Sequence, residues 1–201
     1  SGVIRDGLRQ AMTLLNQAGW VIKNGKLVNG SGQEFTFEIL LDNPLLERIV
    51  LPFTANLERL GIRAKIRTVD TSQYQARVDK FDFDMIAGLY AQSLSPGNEQ
   101  RDFWSSNAAK PEGSRNLAGL ANPAIDKLVE ILINARTRKD LEVASHALDR
   151  ALLWSHLLIP MYHIDLVRVG HWDRYGRAET LPWQGFDLMG WYLDPAKIDG
   201  K

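Results

Sequence analysis

The feature that most constrains the fold is the alternation of apolar segments with amphipathic ones between residues 34 and 90. Alternating apolar side chains predict strands over 34–41 and 62–68, and the apolar run Met85–Tyr90 predicts a third strand. Helical periodicity lies between them, so the order is β-α-β-α-β. Strands joined through helices pair in parallel with right-handed crossovers. We therefore expect an α/β fold, with a mixed, largely parallel sheet and flanking helices.

The Met85–Tyr90 segment is predicted to be a strand buried on both faces in the middle of the sheet. Residues 91–100 follow it with turn-forming side chains throughout, and Pro96-Gly97 is the sharpest bend. Open α/β sheets bind ligands in crevices outside the carboxyl ends of their strands. This strand-to-loop junction is therefore the predicted ligand site, and the alternative is a solvated connection that binds nothing.

Turn and cap signals place the remaining elements. Asn and Asp are favoured N-caps, Pro is favoured at the first helical position, and Gly is favoured just after a helix. In the first half of the chain these signals predict a helix over 4–18 ended by Gly19, a hairpin around Lys26-Leu27-Val28, and a helix through Ile49 and Leu60 ended by Gly61, with Pro52 early in that helix or kinking it. A further helix is capped by Asp70. The second half is predicted to contain a helix from Asn122-Pro123, a helix that begins with a capping box at Thr137–Asp140 and ends at Pro160, and a strand over Met161–Val169.

Composition excludes several classes of protein. The 24 basic and 24 acidic side chains give a formal net charge of zero, so an electrostatic interaction with nucleic acid is not expected. No cysteine is present for disulfides or thiolate metal sites, and no apolar run of about 18 residues predicts a membrane span. The chain does not begin with a recognisable signal peptide, so we expect it to be a piece of a longer protein.

Catalytic motifs are missing from the sequence. It contains no Gly-rich phosphate loop, no Gly-x-Ser-x-Gly elbow and no His-Glu-x-x-His helix. The four histidines are too scattered for a recognisable ligand spacing, although His163 and His171 flank the predicted Met161 strand and would be the alternative metal pair. The sequence therefore predicts no enzyme activity, no cofactor and no metal site.

The last thirty residues are rich in aromatic side chains. Trp172, Trp183 and Trp191 lie there, and the segment has neither a helical nor an alternating period. A short irregular segment cannot bury three tryptophans by itself. We expect this tail either to pack on a surface outside the rest of the chain, or to be mobile or packed against a neighbouring molecule when that surface is missing.

Seven segments, taken in order, form a recognisable set: Leu14–Trp20, Leu57–Ile62, Tyr74, Phe83-Asp84-Met85, Ser95–Trp104, Trp172–Gly176 and Trp191–Lys197. This ordered set resembles the family 5 extracellular solute-binding proteins, the receptors of bacterial ABC importers for peptides, nickel and oligosaccharides. The combination is similar to the YejA-like branch, which is associated with microcin C and peptide uptake.

The resemblance implies a periplasmic or membrane-associated extracellular receptor of two lobes, with a type II, cluster C periplasmic-binding-protein-like fold. Residues 1–170 would be the second, carboxyl-terminal lobe, and 171–201 a tail that returns to the first lobe. A peptide or peptide-like ligand and the permease subunits of an ABC transporter would be its partners. The expected ligand-binding residues are Tyr90, Gln92, Ser93, Ser95, Asn98, Glu99 and Asn116.

The sequence departs from many peptide receptors of the family at one position. Where those receptors carry an Asp that pairs with the peptide amino terminus, this chain has Gln92. A glutamine can accept a hydrogen bond from an ammonium group but supplies no charge, so that pairing would be weaker. Two other classes remain alternatives to a binding module: a domain that only docks on a permease, and a hydrolase or transferase, for which no nucleophile with an adjacent base is visible.

Overall fold

The computed structural model describes residues 2–162, 164, 166–180 and 186–198 of the 201-residue chain. Its elements in chain order are α1 (Gly2–Gln17), β1 (Val21–Lys23), β2 (Lys26–Val28), β3 (Thr36–Leu41), α2 (Pro44–Glu58), β4 (Arg63–Thr68), α3 (Thr71–Asp79), β5 (Met85–Ile86), α4 (Glu99–Trp104), α5 (Pro123–Ile133), α6 (Arg138–Trp154), β6 (Tyr175–Arg177), β7 (Trp191–Leu193) and α7 (Pro195–Ile198).

A three-stranded parallel sheet organises the first half of the chain. β3 is its middle strand, with β4 on one side and β5 on the other. Ile39, Leu40 and Leu41 of β3 are at most 2% exposed, whereas β4 alternates between exposed and half-buried residues. This pattern follows from position, because a middle strand is covered on both faces and an edge strand with one wet face alternates. The predicted α/β class with parallel pairing is confirmed.

The predicted place of the Met85 strand in that sheet is wrong. β5 lies at the edge of the described sheet and pairs only through Met85 and Ile86, both half-buried. Residues 87–90 are not in a strand, and Leu89 is 90% exposed. The order of parallel strands depends on which crossover packs on which face, and a run of apolar residues does not specify that order.

The helix caps agree closely with the sequence. The predicted caps Asp70, Asn122 and Thr137 each accept a backbone N–H from the first helical turn, and Asn43 caps α2 in the same way. α2 starts at Pro44, which is earlier than its apolar pattern indicated, so Pro52 lies inside the helix. A proline at that position removes one intrahelical hydrogen bond, and the helix continues past it.

Two glycines join α1, the β1–β2 hairpin and α2 into one unit. Gly19 has a φ of 85°, and Trp20 donates its N–H to the carbonyl of Leu15 at 2.9 Å, which confirms the predicted left-handed helix end. Gly61, with a φ of 77°, follows α2 and lies against the hairpin. A Cβ there would come within 2.7 Å of the Leu27 nitrogen, which donates to the Gly61 carbonyl, so only glycine fits.

The second half of the chain packs around α4, α5 and α6. Its apolar core is separate from the core between the sheet and α2. Amphipathic stripes of α5 and α6 meet across this core, and α4 brings in two aromatic side chains. The buried residues of this cluster are Phe103, Trp104, Leu120, Ile125, Val129, Leu132, Ala144 and Leu148.

The chain after α6 differs from the prediction. α6 ends at Trp154 rather than at Pro160, and His156 follows with a φ of 55°. The described residues of 161–169 form no strand, and no described strand lies beside them to complete a hydrogen-bond ladder. Their apolar side chains point outward: Ile164 is 70% and Val167 is 63% exposed.

The tail has more structure than its sequence indicated. β6 and β7 form a short antiparallel pair, which corrects the expectation of an irregular segment. Trp191 is half-buried against His171 and Phe186, with ring centroids 4.7 and 5.8 Å away. Trp172 is 75% exposed, and Trp183 lies outside the described residues. Local structure therefore covers Trp191 in part and leaves Trp172 without cover.

Candidate functional site

The candidate site is the segment of residues 87–98, which leaves the carboxyl end of β5 without helix or strand. Tyr90 anchors it, because its ring stacks on Trp104 at a centroid distance of 4.7 Å and meets the edge of Phe103 at 5.6 Å. On the sheet side, the Tyr74 hydroxyl donates to the carbonyl of Ala87 at 3.3 Å. The backbone is irregular, but its first four residues are held by aromatic side chains.

A chain of side-chain hydrogen bonds connects this segment to the buried helix α4. The Trp104 indole N–H donates to Gln100 Oε1 at 3.1 Å, and Gln100 Nε2 donates to Gln92 Oε1 at 2.7 Å. The same nitrogen donates to Glu99 Oε1 at 3.2 Å. Gln100 and Trp104 are 3% and 4% exposed. Gln92 therefore has its position set by a buried, fully hydrogen-bonded amide.

The predicted residues Ser93, Ser95 and Asn98 lie on the exposed outer part of the segment. The Ser93 hydroxyl accepts the backbone N–H of Ser95 at 3.2 Å, and Asn98 Oδ1 accepts from Arg101 at 3.2 Å. A bond from α6 holds this part from behind, since Arg138 donates to the carbonyl of Leu94 at 2.7 Å. The structure thus brings Gln92, Ser93, Ser95, Asn98 and Glu99 together in one turn.

Asn116 lies elsewhere and is fully buried. Its Nδ2 donates to the carbonyls of Ser105 and Leu120 at 2.9 and 2.8 Å, and its Oδ1 accepts the Leu120 N–H at 3.0 Å. Every hydrogen-bonding group of this side chain is used within the chain. The geometry gives Asn116 a structural role, which is to hold the connection between α4 and α5.

The segment borders an open cavity of about 1180 Å³. One wall is the sheet edge with α2, the second is α4 with Gln92 and Tyr90, and the third is the end of α6 with residues 157–162. Most of the lining is apolar, and the few polar groups come from Asp84, Gln92, Gln100, Ser145 and Asp149. Ligand sites have this character, with apolar walls and a small number of placed polar groups.

Two titratable groups of the site have displaced pKa values. The backbone N–H of Gly97, 2.8 Å from Glu99 Oε1, is the main cause that lowers the pKa of Glu99, and Gln100 adds to it. Burial raises the pKa of Tyr90, so its phenol stays neutral. At neutral pH the turn therefore presents one carboxylate, Glu99, among uncharged polar groups.

Sequence reasoning missed the two residues that organise the site, Gln100 and Trp104. Their spacing of four places them on one face of a helix, which is the available signal, but α4 has only six residues and its face becomes meaningful only once α5 packs against it. Sequence reasoning also did not single out Arg77, which pairs with Glu38 and Asp82, both at 2.9 Å, and joins α3 to the sheet.

Within the described ranges, no group of three or more histidine or acidic side chains is placed to hold a metal ion. Of the alternative metal pair, His163 lies outside those ranges, and His171 Nδ1 is 2.9 Å from the carbonyl of Trp172. None of the described helices has both the length and the apolar character that crossing a bilayer requires.

These features define an α/β chain with an open crevice beside its parallel sheet, and its fold is that of the periplasmic binding proteins. Two solved structures share the fold. The oligopeptide-binding protein AppA from Bacillus subtilis, solved with a nonapeptide, matches with a TM-score of 0.66 and 23% identity over 74% of this chain and 30% of its own. NikZ from Campylobacter jejuni, solved with Ni(L-His), matches with a TM-score of 0.66 and 17% identity over 75% of this chain and 30% of its own.

The sequence defines the family. Residues 4–112 match the family described as "bacterial extracellular solute-binding proteins, family 5 Middle", so the chain belongs to this family. The uncharacterised protein y4wM of Sinorhizobium fredii is 46% identical over 90% of this chain and 28% of its own length. From Agrobacterium fabrum, the probable peptide-binding protein YejA is 44% identical over 90% of this chain and 30% of its own, and the peptidoglycan-binding protein YepA is 41% identical over 96% and 31%.

These relatives confirm the predicted YejA-like branch. The two relatives from Agrobacterium fabrum have names that describe a binding function. The chain spans less than a third of the length of these relatives.

Proposed function

We propose that this chain is part of the substrate-binding receptor of a bacterial ABC importer, and that the receptor reversibly binds peptides or peptide-like compounds. It acts by binding rather than by catalysis, outside the cytoplasmic membrane, and delivers its ligand to permease subunits. Microcin C-type compounds are one class of peptide-like ligand that fits this function.

The observation that carries this function is the segment after β5, where Gln92 and Pro96 line an apolar cavity beside a parallel sheet, and Gln92, Ser93 and Glu99 line a smaller recess. The polar side chains of residues 92–99 are those that recognise amides: a glutamine, an asparagine, two serine hydroxyls and one carboxylate. Membership of a solute-binding family supports the function, and so do the peptide and peptidoglycan ligands in the names of two relatives. An amide-rich ligand fits both the turn and the names.

The cavity is open, so a second part of the receptor is needed to enclose the ligand. Residues 1–170 form one lobe in this proposal, and residues 171–201 return to the other lobe. Exposed apolar side chains near the end of the chain support contact with the other lobe. They occur already before Gly170, because Trp154 is 77% and Met161 is 54% exposed. Closure of two lobes over a ligand is the usual signalling step of binding proteins of this architecture.

The experiment is a thermal-shift screen of short peptides on the full-length receptor, followed by calorimetry on variants. Gln92→Ala and Asn98→Ala are each expected to weaken binding by about 1 to 3 kcal/mol through loss of one hydrogen bond in an enclosed site. Gln10→Ala, on the exposed face of α1, is the matched control. The melting temperature without ligand should hardly change. Equal affinity in the wild type and both site variants would remove this turn from the ligand site.

A second measurement tests the need for the other lobe. Each lobe supplies only part of the enclosure, so this chain alone is expected to bind the same peptide far more weakly than the full-length receptor does. Calorimetry on both proteins gives the comparison. An unchanged affinity in the isolated chain would show that the rest of the receptor is dispensable for binding.

A further inference from the structure

We propose that Trp104 and Gln100 fix the side-chain amide of Gln92 with its N–H groups towards the cavity, so that this position selects a carbonyl or carboxylate oxygen of the ligand. This assignment rests on the peptide-binding function proposed above. It makes Gln92 a specificity-determining residue, and Gln100 and Trp104 the residues that position it.

The orientation of the Gln100 amide is fixed by its contact with Trp104. The indole N–H of Trp104 is a donor only, so the Gln100 atom 3.1 Å from it must be the amide oxygen. Both side chains are buried, where a reversed amide would place two donors against each other without water to separate them. The Gln100 nitrogen therefore faces the opposite way, towards Gln92 and Glu99.

The acceptors on the other side of Gln100 require the same orientation. The two hydrogens of Gln100 Nε2 have two acceptors, Gln92 Oε1 at 2.7 Å and Glu99 Oε1 at 3.2 Å. Glu99 is ionised, because the Gly97 N–H lowers its pKa, and an ionised carboxylate only accepts hydrogen bonds. A donor-only group on one side and an acceptor-only group on the other leave Gln100 a single arrangement.

The orientation of Gln100 determines which atom of the Gln92 amide faces the cavity. Its oxygen is occupied by Gln100, and its Nε2 has no hydrogen-bond partner among the described residues. The side chain lines both the large cavity and a smaller recess formed with Ala91, Ser93 and Glu99. The group offered to a ligand at this point is therefore a donor. An ammonium group, which only donates, does not fit it, whereas a peptide carbonyl or a terminal carboxylate does.

The orientation is tested first without ligand, by nuclear magnetic resonance of the full-length receptor. The Trp104 indole proton and both Gln100 amide protons should exchange slowly with water, while the Gln92 amide protons exchange fast. Gln100→Met, similar in shape but unable to hydrogen-bond, should release the Trp104 proton to fast exchange. A Gln92 amide that is protected in the wild type, or an indole proton unaffected by Gln100→Met, would overturn the assignment.

The selectivity is tested by calorimetry with tri-alanine. Gln92→Glu replaces the outward donor by an anionic acceptor, so binding should weaken about tenfold or more, while Gln10→Glu, the same charge change on α1, should leave it unchanged. Tighter binding by Gln92→Glu would overturn the assignment, because it would mean that a ligand ammonium faces this side chain. A wild-type receptor that binds no peptide contradicts the proposed function instead, and the exchange rates then decide the orientation alone.

Two further arms identify the acceptor and separate positioning from structure. Tri-alanine amide should bind the wild type about tenfold more weakly than tri-alanine if the acceptor is the terminal carboxylate, and equally well if it is a backbone carbonyl.

Gln100→Glu keeps the bond from Trp104 but cannot donate to Gln92, so the Gln92 amide should turn its oxygen outward. That variant should lose affinity as Gln92→Glu does, with the indole proton still protected. Full affinity in Gln100→Glu would show that Gln100 does not position Gln92.

Discussion

The side chains of two irregular segments, residues 87–98 and the described residues of 155–172, behave in opposite ways. The first is held by a stacked tyrosine, a buried amide and an arginine bond to its backbone. The second exposes apolar side chains, with Trp172 75% and Tyr162 67% exposed. Where buried side chains hold an irregular segment, its polar groups have defined positions. Where they do not, the exposed apolar side chains favour contact with another surface.

The difference comes from what lies behind each segment. Residues 87–98 are tied to α4 and α6 by ring stacking and hydrogen bonds. Residues 157–162 line the open cavity, where Leu158 packs against the core of α4, α5 and α6, and Ile164, Leu166 and Val167 beyond them are exposed. The contrast can be tested by equivalent substitutions in the two segments or in the residues that support them.

The largest effect is expected from a matched pair of tryptophans. Trp104→Ala removes a buried ring that supports Tyr90 and Gln100, and should lower the free energy of unfolding by about 3 to 5 kcal/mol. Trp154→Ala removes a ring that is 77% exposed and should change it by less than about 0.5 kcal/mol in the isolated chain. Urea denaturation of both variants gives the numbers. Similar losses in the two would contradict the contrast between the segments.

The next effect is on association of the isolated chain. Covering one aromatic side chain stabilises by roughly 1.5 to 3 kcal/mol, so the exposed residues of the second segment should drive self-association. Light scattering is expected to find species larger than a monomer, and a variant with both Ile164→Ser and Trp172→Ser should shift them towards the monomer.

Leu89→Ser is the control for that measurement, because Leu89 is 90% exposed but belongs to the held segment of residues 87–98. It should leave the association unchanged. A wild-type chain that is a clean monomer would show that the second segment does not need cover, and would place the boundary of the lobe elsewhere.

The smallest effect concerns pH. The folded state holds the pKa of Glu99 below that of an ordinary glutamate, mainly through the Gly97 N–H, so the folded carboxyl binds its proton less readily than the unfolded one. This contribution to stability is present above the unfolded pKa and is lost as pH falls through the lower folded pKa.

Glu99→Gln should therefore lose less stability than the wild type when urea unfolding is compared at about pH 6 and about pH 3. Glu112→Gln, which removes one exposed carboxylate elsewhere, is the control and should follow the wild type. Identical acid dependence in Glu99→Gln and the wild type would mean that the Gly97 bond does not stabilise the turn.

The local sequence predicted most elements up to the start of α6 and the irregular turn after β5. Asp70, Asn122 and Thr137 cap helices as their residue types indicated, and Gly19 and Gly61 end helices with positive φ. The turn after β5 was located from its polar and turn-forming residues. Such signals act within one helical turn or one bend, so they are present in the sequence whatever the rest of the chain does.

Only the tertiary structure decided three other features: which strand is central, where α6 stops, and which way Gln92 faces. β3 took the middle of the sheet because β4 and β5 both pair with it, and Met161–Val169 found no strand partner among the described residues. Gln92 owes its orientation to Gln100 and Trp104, eight and twelve residues along the chain, which are buried because α4 packs against α5. These outcomes depend on contacts between elements, and a residue's own propensity does not determine its distant neighbours.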